Sequence, residues 1–117
     1  MQITRELLEG ILELCRNAHP NEVGGLLLGK KTVNDYVIMP ARFYSSSVYI
    51  WMDRIPIYPD LAGTFHSHPT PNAEASRADL KLFGEIGKQH IIFGYPYNLN
   101  SFQAYDSMGK KIQVKIV

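Results

Sequence analysis

The sequence predicts a mixed α/β domain in which one helix, a group of strands, a second helix and further strands follow one another. Three observations carry that class. Apolar residues recur at the 3.6-residue helical period near the amino terminus and again over residues 80–86. Short runs rich in Val, Ile, Leu, Phe and Tyr, bounded by Gly, Pro, Asn and Asp, fill the intervals. No repeat, low-complexity tract or linker-like break interrupts them, so one domain is expected over residues 1–117.

The first helix places Leu7, Leu8, Ile11, Leu12 and Cys15 on one face, with Thr4 as its N-cap. Glu6 and Glu9 near its start and Arg16 near its end suit the helix dipole, and His19-Pro20 should stop it. Val23–Leu28 reads as a buried strand whose Gly24 and Gly25 imply a bulge or a close approach by another chain segment. Lys30–Asp35 is turn-like, and Tyr36–Met39 and Val48–Met52 are the next strands. Residues 55–59 fit no element. Ala62–His68 reads as a strand ending in a loop at Pro69, and Thr70–Ala75 leads into a helix through Leu80, Leu82, Phe83 and Ile86. Ile91–Tyr95, Phe102–Tyr105 and Ile112–Ile116 complete the set, the last alternating Ile112, Val114 and Ile116 over a polar face.

Composition narrows the function classes. Twelve basic residues against 11 acidic ones give a net charge of +1, which is no footprint for nucleic acid or an anionic membrane. Cys15 is the only cysteine, which excludes an intramolecular disulfide and Cys-rich zinc modules, and its place on the apolar helix face favours core packing over reactivity. No apolar run approaches 18 residues and no signal peptide is visible, so a cytoplasmic domain is the expectation.

The chemistry concentrates in His66-Ser67-His68-Pro69, followed by Ser76 and Asp79. Histidines at i and i+2 on a strand point to the same face, so both imidazoles can reach one ion. A carboxylate from the next helix would complete a His₂Asp set with a fourth position open, the arrangement of catalytic zinc, although the ligand types admit other divalent metals. Ser76-x-x-Asp79 also matches a helix-capping box, and one helical turn can hold both a cap and a ligand. The joint spacing arises by chance at roughly 10⁻⁷ per starting position. His19 and His90 lack such company and read as a helix-end residue and a strand opening. Spacing does not choose among Glu22, Glu74 and Glu85 as a proton-transfer group.

Glu22, His66-Ser67-His68, Ser76 and Asp79 together resemble the signature of the JAMM (MPN-plus) metalloproteases, most nearly the short single-domain archaeal members. Asn21–Gly29 resembles the family's first catalytic strand, and His90-Ile91-Ile92 with Tyr95-Pro96-Tyr97 the strand after its second helix, so the likeness covers nearly the whole chain. It implies the MPN fold, a mixed β-sheet flanked by helices with a cytidine-deaminase-like layout. The deaminase signature H-x-E…P-C-x-x-C is absent.

Carried onto this sequence, the resemblance makes His66, His68 and Asp79 the ligands of one Zn²⁺ per chain, Glu22 the general acid/base and Ser76 the oxyanion donor. Ser67, on the other face of the strand, would pack or support the ligands. The implied activity is cleavage of the amide bond after the carboxyl-terminal tail of a ubiquitin-like modifier. That tail would add as a strand to a sheet edge, entering past residues 42–47 and 55–60. Two other readings share the motif: a hydrolase of sulfur-carrier protein adducts, and a non-catalytic MPN scaffold. The expected partners are such small modifier proteins and their conjugates. Lys110–Val117 could pair within the domain or with another chain.

Overall fold

The structure, a computed structural model, describes residues 1–40 and 58–117. The strand expected at Val48–Met52 and the entrance segments at 42–47 and 55–57 lie outside the described residues.

Helix α1 spans Arg5–Ala18. Its start is fixed by Thr4, which stays extended while its hydroxyl accepts the Leu7 N–H at 3.2 Å, and its end by His19, the C-cap before Pro20. The buried stripe is Leu7, Leu8, Ile11, Leu12 and Cys15, the face the periodicity predicts. Ahead of it, β1 (Gln2–Ile3) is too short to leave a sequence pattern.

Among the described residues six strands form the main sheet: β2 (Gly24–Leu28), β3 (Asp35–Met39), β4 (Leu61–His68), β5 (Gln89–Gly94), β6 (Phe102–Tyr105) and β7 (Lys111–Ile112). Their order is β3-β2-β4-β5-β6-β7. Only β4 and β5 run parallel, and that pair requires the crossover supplied by helix α2 (Arg77–Ile86). The sheet is therefore mixed, with a helix on each face.

Side-chain alternation assigns the faces. Leu27, Phe65, Ile91 and Phe93 pack with the α1 stripe, while Leu26 and Leu28 meet Leu82, and Ile92 meets Phe83, on the α2 side. A strand covered on both faces reads as a continuous apolar run, which is why β2 shows no alternation. Gly25 permits a close approach, because a Cβ there would collide with the Val37 backbone of β3; the irregularity in β2 falls between Leu27 and Leu28 instead.

One expected element is corrected. Ile112–Ile116 is not a single strand but β7 followed by β8 (Lys115–Ile116), which pairs in parallel with β1 in a separate two-stranded sheet. Ile112, Val114 and Ile116 all still pack on the core, so their alternation survives although the backbone changes partners at Gln113 and Val114. The end of the chain pairs within the domain. Among the described residues, no helix is long and apolar enough to cross a membrane.

Two buried titratable groups record the density of this core. Cys15 is fully buried, and burial pushes its thiol up to about 12 against the weaker opposing pull of the Ser67 hydroxyl and Arg16. A thiol reagent at pH 8 is expected to find no reactive cysteine in the native protein and one per chain after denaturation; stoichiometric labelling of the native state would contradict this burial. His90 is fully buried, stacked on Phe83 with ring centroids 4.2 Å apart and with Nδ1 2.6 Å from Thr64 Oγ1. Burial first, and the His66 charge in addition, push its imidazole down to about 4, against the Phe83 and Lys88 carbonyls. The unfolded chain therefore takes up this proton first. The stability His90 contributes is complete above its unfolded value near 6.5, and up to about 3 kcal/mol is lost as pH falls from there to about 4. Urea titrations of His90→Gln should show a correspondingly shallower loss over that window than the parent; equal slopes would contradict the assignment.

Candidate metal centre

The site forms where β4 leaves the sheet and α2 begins. His66 and His68 alternate with Phe65 and Ser67, so their imidazoles face α2 while Ser67 faces α1. Helix α2 presents Asp79 at its third position, buried, toward the two rings. His66 Nε2 lies 2.9 Å from Asp79 Oδ1, His68 Nε2 3.5 Å from Asp79 Oδ2, and the two Nε2 atoms are 3.2 Å apart. One ligand atom from each of the three residues falls within 4.8 Å of the others.

The donor set fits a divalent ion of the zinc kind. His68 Nδ1 is 2.9 Å from the Asn72 carbonyl oxygen, which can only accept, so Nδ1 carries a proton and Nε2, the nitrogen turned into the cluster, is the one whose lone pair can ligate when the imidazole is neutral. A histidine ligand held through its other nitrogen by a carbonyl is the usual support for metal binding. The Asp79 hydrogen bond is the main influence raising the His68 pKa; burial opposes it, and the Asn72 carbonyl and the charges of Asp79 and Glu22 add to the rise. For Asp79, burial raises the carboxyl, but hydrogen bonds from His66 and His68, the His66 charge and the Ser76 amide together hold it well below the usual carboxylate range.

Ser76 and Asp79 form the capping box. The Asp79 N–H donates to Ser76 Oγ at 3.1 Å, and the Ser76 N–H donates to Asp79 Oδ2 at 2.8 Å. The cap thereby orients the carboxylate that faces the histidines. A hydroxyl that accepts this bond keeps its own proton for another acceptor, so capping and oxyanion donation are compatible in one residue. The loop before α2 is pinned by the buried Tyr105, whose hydroxyl donates to the Ala73 carbonyl at 2.8 Å and accepts the Ala75 N–H at 3.1 Å. Beside that anchor, Lys111 pairs with Glu74 on the surface.

The start of β2 is tied to the end of β4. Gly24 pairs with His66 in the antiparallel β2–β4 ladder. One step further out, Ser67 N–H donates to the Val23 carbonyl at 2.8 Å and Val23 N–H donates to Ser67 Oγ at 3.0 Å. Glu22, the residue before Val23, is exposed, and its charge reaches the His68 imidazole. Neither rival carboxylate is so placed: Glu74 faces Lys111, and Glu85 stands near the far end of α2. His90 lies in the core. His19 caps α1 as expected, and the sequence pattern gave no sign of its second contact, with Tyr97.

The model of prokaryotic homologues of the JAB domain matches residues 4–105. A probable metalloprotease of Haloferax volcanii is 34% identical over 92% of this chain and 74% of its own length. A JAB1/MPN domain protein from Archaeoglobus fulgidus is 37% identical with a TM-score of 0.81, the match covering 100% of this chain and 99% of that one. A structure described as JAMM, a metalloprotease-like zinc site in the proteasome and signalosome, is 36% identical with a TM-score of 0.79, covering 100% of this chain and 97% of that one. With a mixed sheet between two helices and a His-His-Asp cluster at the end of its central strand, the chain belongs to the prokaryotic branch of the JAB (JAMM/MPN) domain family.

Proposed function

We propose that the protein is a zinc metalloprotease that hydrolyses the amide bond following the carboxyl-terminal tail of a ubiquitin-like modifier. The observation that carries this reading is the convergence of His66, His68 and Asp79 on one point, with the Glu22 charge reaching His68. Zinc held by those three side chains would lower the pKa of a coordinated water toward about 7 and polarise the scissile carbonyl. Glu22 would accept the proton of the attacking water and deliver it to the leaving amine. Ser76 would donate its hydroxyl proton to the developing oxyanion while its lone pair continues to cap α2. Support for the protease activity comes from the Haloferax volcanii relative and the JAMM zinc-site structure.

An extended substrate suits the sheet. Met39 of β3, Gly24 of β2 and His66 of β4 lie in one row across the strands. A tail running along β3, one of the two edge strands among the described residues, would reach the level of the metal ligands about two strand spacings, roughly 10 Å, away. A tail ending in small residues would meet the least obstruction on that approach.

Purified protein should contain about one zinc per chain, and His66→Ala should lose metal and activity together. Glu22→Gln should retain zinc while its rate on a ubiquitin-like fusion falls by at least 10²–10⁴-fold; a zinc-loaded Glu22→Gln protein at the parental rate would remove Glu22 from the chemistry. Cleavage of a sulfur-carrier adduct in place of the amide-linked fusion would shift the substrate, and a metal-free preparation would indicate a scaffold.

Ser76→Ala separates the two roles of that hydroxyl. Loss of the cap is expected to cost about 0.5–2 kcal/mol of stability. Loss of the oxyanion contact is expected to lower kcat by roughly 10²–10³ with little change in KM, because the bond strengthens only in the transition state. Thermal stability, zinc content and kcat measured on one preparation decide it: a folded, zinc-loaded variant with undiminished kcat would leave Ser76 with the cap alone.

A further inference from the structure

We infer that Tyr97 is a positioning residue for Glu22, acting through His19; the inference rests on the reading of Glu22 as the proton-transfer group. Tyr97 is 1% exposed, yet it is the non-glycine residue with positive φ among those described, at 62°. A bulky side chain in that conformation is strained and persists only where its surroundings over-determine it. They do so here. The Tyr97 N–H donates to the Gly94 carbonyl at 2.8 Å, and the Arg16 guanidinium of α1 donates to the Tyr97 carbonyl.

The strained backbone aims the phenol at the junction of two segments. Its hydroxyl donates to the His68 carbonyl at 3.1 Å and lies 2.9 Å from His19 Nδ1. A phenol has one proton, and the carbonyl can only accept, so His19 must be the donor of the second bond, through Nδ1–H. The Tyr97 oxygen thus joins the end of β4, at a proposed metal ligand, to the residue that ends α1. His19 also packs edge-on against the Tyr97 ring at 5.6 Å and, tilted by 32°, against the Tyr95 ring at 4.6 Å.

Glu22 lies three residues after His19 and one before Val23. Both neighbours are therefore tied to β4: Val23 to Ser67 by two hydrogen bonds, and His19 to His68 through Tyr97. Between them the Asn21 N–H closes a turn onto the Ala18 carbonyl at 2.9 Å. An exposed carboxylate on a loop anchored at one end would sweep past its target; anchored at both ends, its range is restricted to the neighbourhood of His68. Misplacement of a reacting group by about 1 Å lowers rates by as much as 10²-fold, so this tie has a kinetic consequence although Tyr97 touches no reacting atom.

The test uses the full chain as purified, with Tyr97→Phe, which keeps the ring, and His19→Ala as a second variant should the first fail to fold. Two measurements are made. Backbone amide exchange should accelerate at least tenfold at Asn21, whose amide bonds the Ala18 carbonyl, while the β4 amides and zinc content stay at parental levels. On a ubiquitin-like fusion, kcat should fall between about 10- and 100-fold with KM within about twofold. Tyr97→Phe should add no further loss in a Glu22→Gln background, the non-additivity expected of residues acting as a unit. Unchanged exchange at Asn21 would overturn the inference, as would losses that add independently or that track loss of zinc. If the parent leaves the fusion uncleaved, the proposed substrate fails, and the exchange measurement alone still decides whether Tyr97 holds the Glu22 segment.

Discussion

The carboxylate of Asp79 is the constraint on which the remainder of this structure depends. Buried ionised groups are costly unless every lone pair finds a partner. Here one oxygen faces His66, while the other accepts the Ser76 amide and faces His68. The same contacts that make burial tolerable set the direction in which α2 leaves the loop, because Ser76 and Asp79 are its N-cap and third residue. A helix N-terminus also favours a negative charge. Helix start, crossover between the parallel strands and proposed ligand set are therefore one arrangement.

Around that carboxylate, each segment is anchored to a strand. Tyr105 of β6 ties down the loop before α2 through Ala73 and Ala75. Ser67 of β4 fixes Val23 at the mouth of β2. The result is a site whose polar groups sit on the α2 face of the sheet, while the α1 face supplies the apolar cluster through Leu27, Phe65, Ile91 and Phe93. Catalytic geometry of this kind depends on supporting groups as much as on the groups that react.

What was legible in the sequence was local. The helical periods, the Thr4 and Ser76 caps, and the alternation that puts His66 and His68 on one face are properties of a few adjacent residues, and the structure reproduces them. Asp79 was legible because the proposed ligand and the capping partner occupy the same helical position. Glu22 was not legible from spacing, since its nearness to His68 depends on contacts of the adjoining Val23 with Ser67 of β4, more than forty positions away; resemblance alone selected it. The split of the last strand was hidden because Ile112 and Ile116 face the core in either arrangement. Tyr97 was hidden for the opposite reason: a backbone conformation at odds with its side chain leaves no periodic signal.

The most direct test of the account is X-ray absorption at the zinc K-edge on protein loaded with one equivalent of zinc. The account predicts two imidazole nitrogens at about 2.0–2.1 Å with the remaining ligands oxygen, and loss of one oxygen ligand in Asp79→Ala. Sulfur scattering at about 2.3 Å, or a third imidazole contributed by His19 or His90, would contradict it.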